Sequence, residues 1–199
     1  MHLAIRYYRV DPDSVEEVMR RVDEGFVPII SSAPGFLAYY ALNGEDGTLA
    51  TVSIFEDQSG AQESVRMAKD FVEEDLASLI PDSPEVLAGE VVVHEASEEE
   101  GQGGYASIRR YQINQGASSE ALQQFHEGIV PVLDESSGFV AYYGLEADNE
   151  IAAVNIFEDR SGAEESNQVA ADYVNENLSS ILPLSPQITV GEIAIYKTK

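Results

Sequence analysis

Residues 3–9 alternate apolar and polar side chains, as a strand with one buried face does. Val15, Val18, Met19, Val22 and Phe26 then recur at helical spacing and make one apolar face. Ser14-x-x-Glu17 is a capping-box pattern at the start of that helix, and Pro28 predicts its kink or end. Two strand-like runs, 36–42 and 49–55, flank the turn-rich Asn43-Gly44-Glu45-Asp46-Gly47 and predict a hairpin. Ser59-x-x-Gln62 opens a second helix with an apolar stripe of Val65, Ala68, Phe71, Val72, Leu76 and Leu79, and Pro81 and Pro84 follow its end. Residues 86–95 read as a last strand. The order β-α-β-β-α-β is the ferredoxin-like split arrangement: a four-stranded antiparallel sheet with both helices on one face.

The pattern occurs twice. Gly35-Phe36-Leu37-Ala38-Tyr39-Tyr40-Ala41-Leu42 returns as Gly138-Phe139-Val140-Ala141-Tyr142-Tyr143-Gly144-Leu145, and Phe55-Glu56-Asp57-Gln58-Ser59-Gly60-Ala61 as Phe157-Glu158-Asp159-Arg160-Ser161-Gly162-Ala163. The second copy is one residue shorter between these blocks, where a turn tolerates a deletion. The expected organisation is repeat 1 over 1–96, a flexible acidic and glycine-containing linker over 97–104, and repeat 2 over 105–199. Each sheet's second face carries Tyr, Phe, Leu and Val, which water would not cover well. The expected fold class is therefore α+β, with two ferredoxin-like repeats packed sheet to sheet as an intramolecular α/β barrel.

Strand periodicity sorts side chains to faces. Ile5, Val52, Ile54 and their mates Ile108, Val154 and Ile156 form the consistently aliphatic face, assigned to the helix side. The opposite face then holds Arg6, Tyr8, Tyr39, Thr51, Ser53, Phe55, Glu90 and His94 in repeat 1. Repeat 2 has Arg109, Tyr111, Tyr142, Ala153, Asn155, Phe157, Glu192 and Tyr196 there. If the sheets face each other, these residues line a cavity. The catalytic candidates are His94, Tyr39, Tyr142 and Asn155, and the substrate-binding ones are Arg6, Tyr8, Phe55, Glu90, Arg109, Tyr111, Phe157 and Glu192. His94 would be a general base and the tyrosines would orient an aromatic substrate. Two readings of the arginines are open. Arg6 anchors a carboxylate, phenolate or enolate, or it forms a buried ion pair with Glu90 across strands, as Arg109 does with Glu192. Asn167, which stands where repeat 1 has Val65, is expected on an exposed edge.

Charge narrows the partners. Asp and Glu number 36 against 11 Lys and Arg, a net charge of -25, with lysine only at 69, 197 and 199. Such a surface repels nucleic acid and anionic membranes, so neither is an expected partner. The composition resembles that of proteins from halophilic archaea and points to a high-salt cytoplasm. No signal-peptide layout opens the chain and no apolar run has transmembrane length. The absence of cysteine excludes thiolate chemistry, and His2, His94 and His126 lack metal-ligand spacing, so no metal or cofactor is expected.

The ferredoxin-like unit, the Pro34-Gly35-Phe36 approach to the second strand and the Phe55-Glu56-Asp57 exit from the third resemble the dimeric α/β-barrel superfamily, and within it the antibiotic biosynthesis monooxygenase group. The resemblance runs over about 3–95 and 105–197. It implies two units paired around a cavity, here within one chain, as a pseudo-dimeric monomer or a homodimer of such chains. It also implies a small apolar or phenolic ligand and a cofactor-independent oxygenation. Phe55 and Phe157 stand where a Trp is common in the group, and the chain has no Trp. No histidine occupies the first helix of repeat 1, and His126 matches Asp23, which weakens the case for haem ligation. The alternative is a non-catalytic binding or structural protein filled by its own side chains. An inter-sheet void of about 300 Å³ or more with convergent Arg, Tyr and His would favour a ligand site, and solid packing of Tyr39, Phe55, Tyr142 and Phe157 the alternative.

Overall fold

A computed structural model describes residues 1–44, 47–97, 103–113, 118–147 and 150–199. The central part of the expected linker, 98–102, and the hairpin positions Glu45 and Asp46 lie outside the described residues.

The element order is the predicted one, twice over. Repeat 1 runs β1 (His2–Arg9), α1 (Val15–Arg21), α2 (Val27–Ser31), β2 (Phe36–Gly44), β3 (Thr48–Phe55), α3 (Gln58–Phe71) and β4 (Glu85–Ala96). Repeat 2 runs β5 (Tyr105–Gln112), α4 (Ser118–Gly128), α5 (Val130–Asp134), β6 (Phe139–Ala147), β7 (Glu150–Phe157), α6 (Arg160–Tyr173) and β8 (Gln187–Thr198).

The chain folds as two compact units, residues 1–90 with 193–199, and residues 91–192. β4 and β8 each contribute to both, so compact units and sequence repeats divide the chain differently. In the first unit β1 pairs with β3 and β4, and β2 with β3, all antiparallel. The end of β8 flanks β2: the Lys199 amide donates to the Leu37 carbonyl at 3.1 Å, and Tyr196 packs on Tyr40. The second unit repeats this with β5, β7, β6 and the first half of β8. There the end of β4 flanks β6 through the Ser97 amide on the Val140 carbonyl at 3.0 Å. The ladder order β1-β3-β2-β8-β5-β7-β6-β4 closes on itself.

The helix starts differ from expectation. Ser14 makes no side-chain cap bond; a 3₁₀ turn over Pro12–Ser14 comes first, capped by Asp11, whose carboxylate accepts from the Asp13 amide at 2.9 Å. Glu17 instead accepts from Arg20 and Arg21. Pro28 does not end the helix. A π-helical turn over Val22–Phe26 precedes it, with the Val27 amide reaching back to the Val22 carbonyl, and Pro28 falls in the first turn of α2, where a missing N–H costs little. For α3 the cap is Asp57, not Ser59: its carboxylate accepts from the Gly60 amide at 2.9 Å and from the Ser59 hydroxyl at 2.7 Å. Asp159 does the same for α6. A Cβ on Gly60 would fall 2.6 Å from Phe55 Cδ1, so the shared Phe-Glu-Asp-x-Ser-Gly run sets the strand-end ring directly beneath the helix start.

The two faces of each sheet are the reverse of the sequence assignment. The cluster under the helices of the first unit contains Tyr8, Tyr39, Leu49 and Phe55 together with Val18, Phe26, Ala68 and Phe71. The second unit's cluster contains Tyr111, Tyr142, Ile151 and Phe157 with Leu122, Phe125 and Ala170. By alternation Ile5, Val52, Ile54, Ile108, Val154 and Ile156 point the other way, and they too are buried. Both faces of the central strands are thus covered, which removes the polar-out signal that would have told them apart.

Candidate functional site

β1 presents Arg6 and Tyr8 to the underside of α3. Arg6 is 1% exposed. Its Nη1 donates to Ser53 Oγ at 2.9 Å and to Thr51 Oγ1 at 3.3 Å, and its Nη2 to Ser64 Oγ on α3 at 2.6 Å. Nε is buried with no partner. Every partner is a neutral hydroxyl. The expected Arg6–Glu90 pair does not form, because β1 and β4 are staggered: Arg6 lies opposite Val86, and Glu90 lies opposite His2 and is exposed. Arg109 likewise lies opposite Ile188, while Glu192 faces Tyr105 and is exposed.

A guanidinium held this way is a buried charge without a counter-ion among the described residues. Burial lowers its pKa, with the neighbouring Tyr8 and Tyr39 acting the other way, but an arginine remains charged. Burial pushes the Tyr8 hydroxyl upward in pKa, opposed by Arg6, so at neutral pH it is an O–H donor. Tyr39 is shifted upward more strongly, also by burial, with Thr51 as its hydrogen-bonding neighbour. Its ring packs edge-on against Phe26 at 5.7 Å.

Beside this network lies a cavity of about 350 Å³ within the first unit. Arg6 and Tyr8 line it from β1, Val65 and Lys69 from α3, and Ile80 and Pro84 from the segment that leads into β4. Lys69 and Glu73 face each other at its rim at 3.7 Å. A smaller void of about 30 Å³, lined by Tyr8, Tyr39 and Thr51 among apolar side chains, lies deeper under the helices. The larger cavity is big enough for a small ligand, with few polar groups converging on one wall.

The second unit has the same frame with different chemistry. Arg109 is also 1% exposed, but its Nη1 donates to Ser166 Oγ at 3.2 Å, to the Ser166 carbonyl at 3.1 Å and to Asn167 Oδ1 at 2.9 Å. Asn155, in place of Ser53, makes only a long bond from Nδ2 to the Ser107 carbonyl, at 3.4 Å, and its Oδ1 is unpartnered. Ala153 replaces Thr51, and the Tyr142 hydroxyl is buried without a partner. The corresponding cavity is about 210 Å³ and is lined by Tyr111, Asn175, Leu182 and Leu184, without Arg109.

The sequence-predicted residues therefore separate. Arg6, Tyr8, Tyr39 and Phe55 share the helix-side face of the first unit, and Arg109, Tyr111, Tyr142, Asn155 and Phe157 that of the second. Phe55 and Phe157 are fully buried, edge-on to Phe36 and Phe139. His94 is exposed and stacks on Tyr143 at 4.7 Å; its neighbour Val93 points into the second unit's cluster, so His94 is on the face away from Tyr142 and Arg109. Burial lowers its pKa, opposed by Glu95. Tyr39 and Phe55 are buried in the first unit's cluster and Tyr142 and Phe157 in the second's, the packing expected of the structural alternative, while the larger cavity of the first unit lies on the helix side, not where the periodicity placed it, and is lined by neither Tyr39 nor Phe55. Sequence reasoning missed Ser64, Lys69 and Asn167. Ser64 carried a signal: it falls between Ala61 and Ala68 on an apolar helical stripe, where a buried hydroxyl needs a partner.

Among the described residues no cluster of three or more metal-binding side chains occurs, and no helix is long and apolar enough to cross a membrane. Neither cavity has a histidine in its lining, so neither fits a histidine-held haem.

Comparison with known proteins agrees with the architecture. Residues 1–68 match the family model described as antibiotic biosynthesis monooxygenase. No curated protein sequence matches the chain. A candidate monooxygenase from Fusobacterium nucleatum superposes over 100% of this chain and 94% of its own, with a TM-score of 0.78 at 13% identity. A candidate monooxygenase from Lactobacillus acidophilus gives 0.74 at 11% identity over 99% and 95%. A haem-degrading enzyme from Listeria monocytogenes gives 0.52 at 7% identity over 97% and 99%. At such identities the likeness is one of fold. Residues 1–68 thus carry the match to the antibiotic biosynthesis monooxygenase model, and the chain over its whole length is similar in fold to these proteins.

Proposed function

We propose that the first unit binds a small aromatic molecule as its phenolate or enolate, in the 350 Å³ cavity, with the oxyanion held by Arg6. The observation that carries this is a buried guanidinium that lines the cavity, has hydroxyl partners only and keeps an unpartnered Nε donor. A phenol placed there ionises more readily, because the positive charge of the buried guanidinium stabilises the oxyanion. Tyr8 supplies a neutral hydroxyl donor, and Val65, Ile80 and Pro84 an apolar wall for the ring. A phenolate or enolate is electron-rich enough to react with dioxygen unaided. Oxygenation of a ring CH₂ to C=O balances without an outside reductant: one oxygen atom enters the carbon, and the other leaves as water with the two hydrogens. The setting we read from the acidity is a high-salt cytoplasm.

The test uses 2-naphthol in about 2 M KCl, since its absorbance separates naphthol from naphtholate. Bound probe should ionise at lower pH than free probe, and Arg6→Met should abolish that difference. Equal ionisation in both proteins, or no binding to the wild-type chain, would reject the reading. A second reading, binding without turnover, is favoured by one observation: the lining lacks a histidine, and its carboxylates are at the rim. Oxygen uptake with an anthrone-type CH₂ substrate separates the two.

A further inference from the structure

The two repeats carry matched arginines, each buried with an unpartnered Nε, yet only the first has its arginine in the lining of a cavity. The difference lies in two co-occurring replacements. Ser107 stands where repeat 1 has Ala4, and Asn167 where it has Val65. In the second unit the Ser107 hydroxyl donates to Asn167 Oδ1 at 2.6 Å, and Arg109 Nη1 donates to the same oxygen at 2.9 Å. Asn167, half-buried on α6, is not on the exposed edge its sequence position suggested. In the first unit both equivalents are apolar, and Val65 lines the cavity together with Arg6.

We infer that Asn167 closes the arginine site of the second unit: its amide oxygen takes an Arg109 Nη1 donor and stands where Val65 leaves Arg6 in the lining of a cavity, so the two-repeat chain has a single ligand site. The inference rests on the reading of Arg6 given above. An amide oxygen suits this place because it accepts from a guanidinium without adding a second buried charge. Ser107 completes the arrangement by occupying the oxygen's other lone pair, which leaves the acceptor saturated. The cavity beside it, about 210 Å³, has lost its arginine and gained Leu184 where the first unit has Asp82. Asn167 is thus a residue that sets the number of sites, not a catalytic one.

The stoichiometry of 2-naphthol binding tests this on the full chain in about 2 M KCl. The wild-type protein should bind one probe. Ser107→Ala with Asn167→Val, which restores the residues of repeat 1, should bind two. Adding Arg6→Met to that pair should return the count to one, now sensitive to Arg109→Met. In the otherwise wild-type chain Arg109→Met should leave the count at one. Two sites in the wild-type chain, loss of its single site on Arg109→Met, or a count that remains at one in the double variant would overturn the inference while leaving the Arg6 reading standing. No binding by the wild-type chain would instead remove the Arg6 reading. If the double variant does not fold, Asn167→Ala alone makes the same test, because it also frees the Arg109 donor.

Discussion

Arg6→Met should change the stability of the folded chain by less than about 2 kcal/mol. The guanidinium makes three hydrogen bonds to neutral hydroxyls and leaves Nε unsatisfied. Three bonds from a charged group are worth a gross total of roughly 5–9 kcal/mol. Against this, removing the ion relieves a desolvation penalty of several kcal/mol and an unmade donor of about 1–3 kcal/mol. Methionine keeps the apolar stem and fills irregular space. The hydroxyls left behind are not orphaned in one stroke, since Ser64 still donates to the Ala61 carbonyl at 2.7 Å and the others can rotate. The gross terms therefore nearly cancel. A salt-bridged arginine would behave otherwise: breaking a buried pair costs roughly 3–5 kcal/mol, because the partner charge is stranded. Urea denaturation in about 2 M KCl measures the difference without changing ionic strength. Arg6→Met combined with Glu90→Leu should give the sum of the single effects, since Glu90 is exposed and opposite His2. A loss above about 3 kcal/mol that Glu90→Leu rescues would refute the reasoning and restore the ion pair.

Two further outcomes follow from charge. With a net charge of -25, the melting temperature should rise steeply between about 0.1 M and 2 M KCl, as screening over a few ångströms removes self-repulsion; a flat or falling curve would show that the acidity serves another purpose. Acid should act on particular carboxylates. Hydrogen bonds from Arg20 and Arg21 hold Glu17 down to about 2, and the Gly60 amide, then the Ser59 hydroxyl, lower Asp57. A depressed folded-state pKa means stability that is present above the ordinary carboxylate value and is lost as pH falls toward the folded value. In about 2 M KCl, where global repulsion is screened, stability should therefore decline below about pH 4.5, modestly because both groups are exposed; Asp57→Asn, which still caps but does not titrate, should show a shallower decline, and an equal one would reject the Asp57 part.

The repeat, the element order and the class were legible because each rests on local signals that tertiary packing does not override. The site was legible in its residue types but not in its placement. Arg6, Tyr8 and Tyr39 stand out in any reading of the strands, yet a period of two distinguishes faces without naming which one lies under the helices. A half-solvated sheet would have resolved this, but here Leu3, Ala4 and Ile5 are all fully buried, so both faces look alike. The aliphatic face was given to the helices by default. The deciding residue was on the helix: Ser64, and Ser166 at the matched place in α6, interrupt an apolar stripe, and a buried hydroxyl on one element calls for a polar partner on the element it covers. Followed through, that demand puts Arg6 and Arg109 beneath the helices. The Glu90 error has a different origin. Strand adjacency was right, but adjacency does not fix stagger, and a shift of four residues moved the carboxylate from Arg6 to His2. The Ser59-x-x-Gln62 spacing pointed to Ser59 as the cap, but the Asp57 carboxylate takes that place, at a helix start that sits against the ring of Phe55. The asymmetry between repeats follows the same logic. Val65 against Asn167 reads as a surface drift when each helix is considered alone, and as the closing of a site once Arg109 and Ser107 are found on either side of the same oxygen.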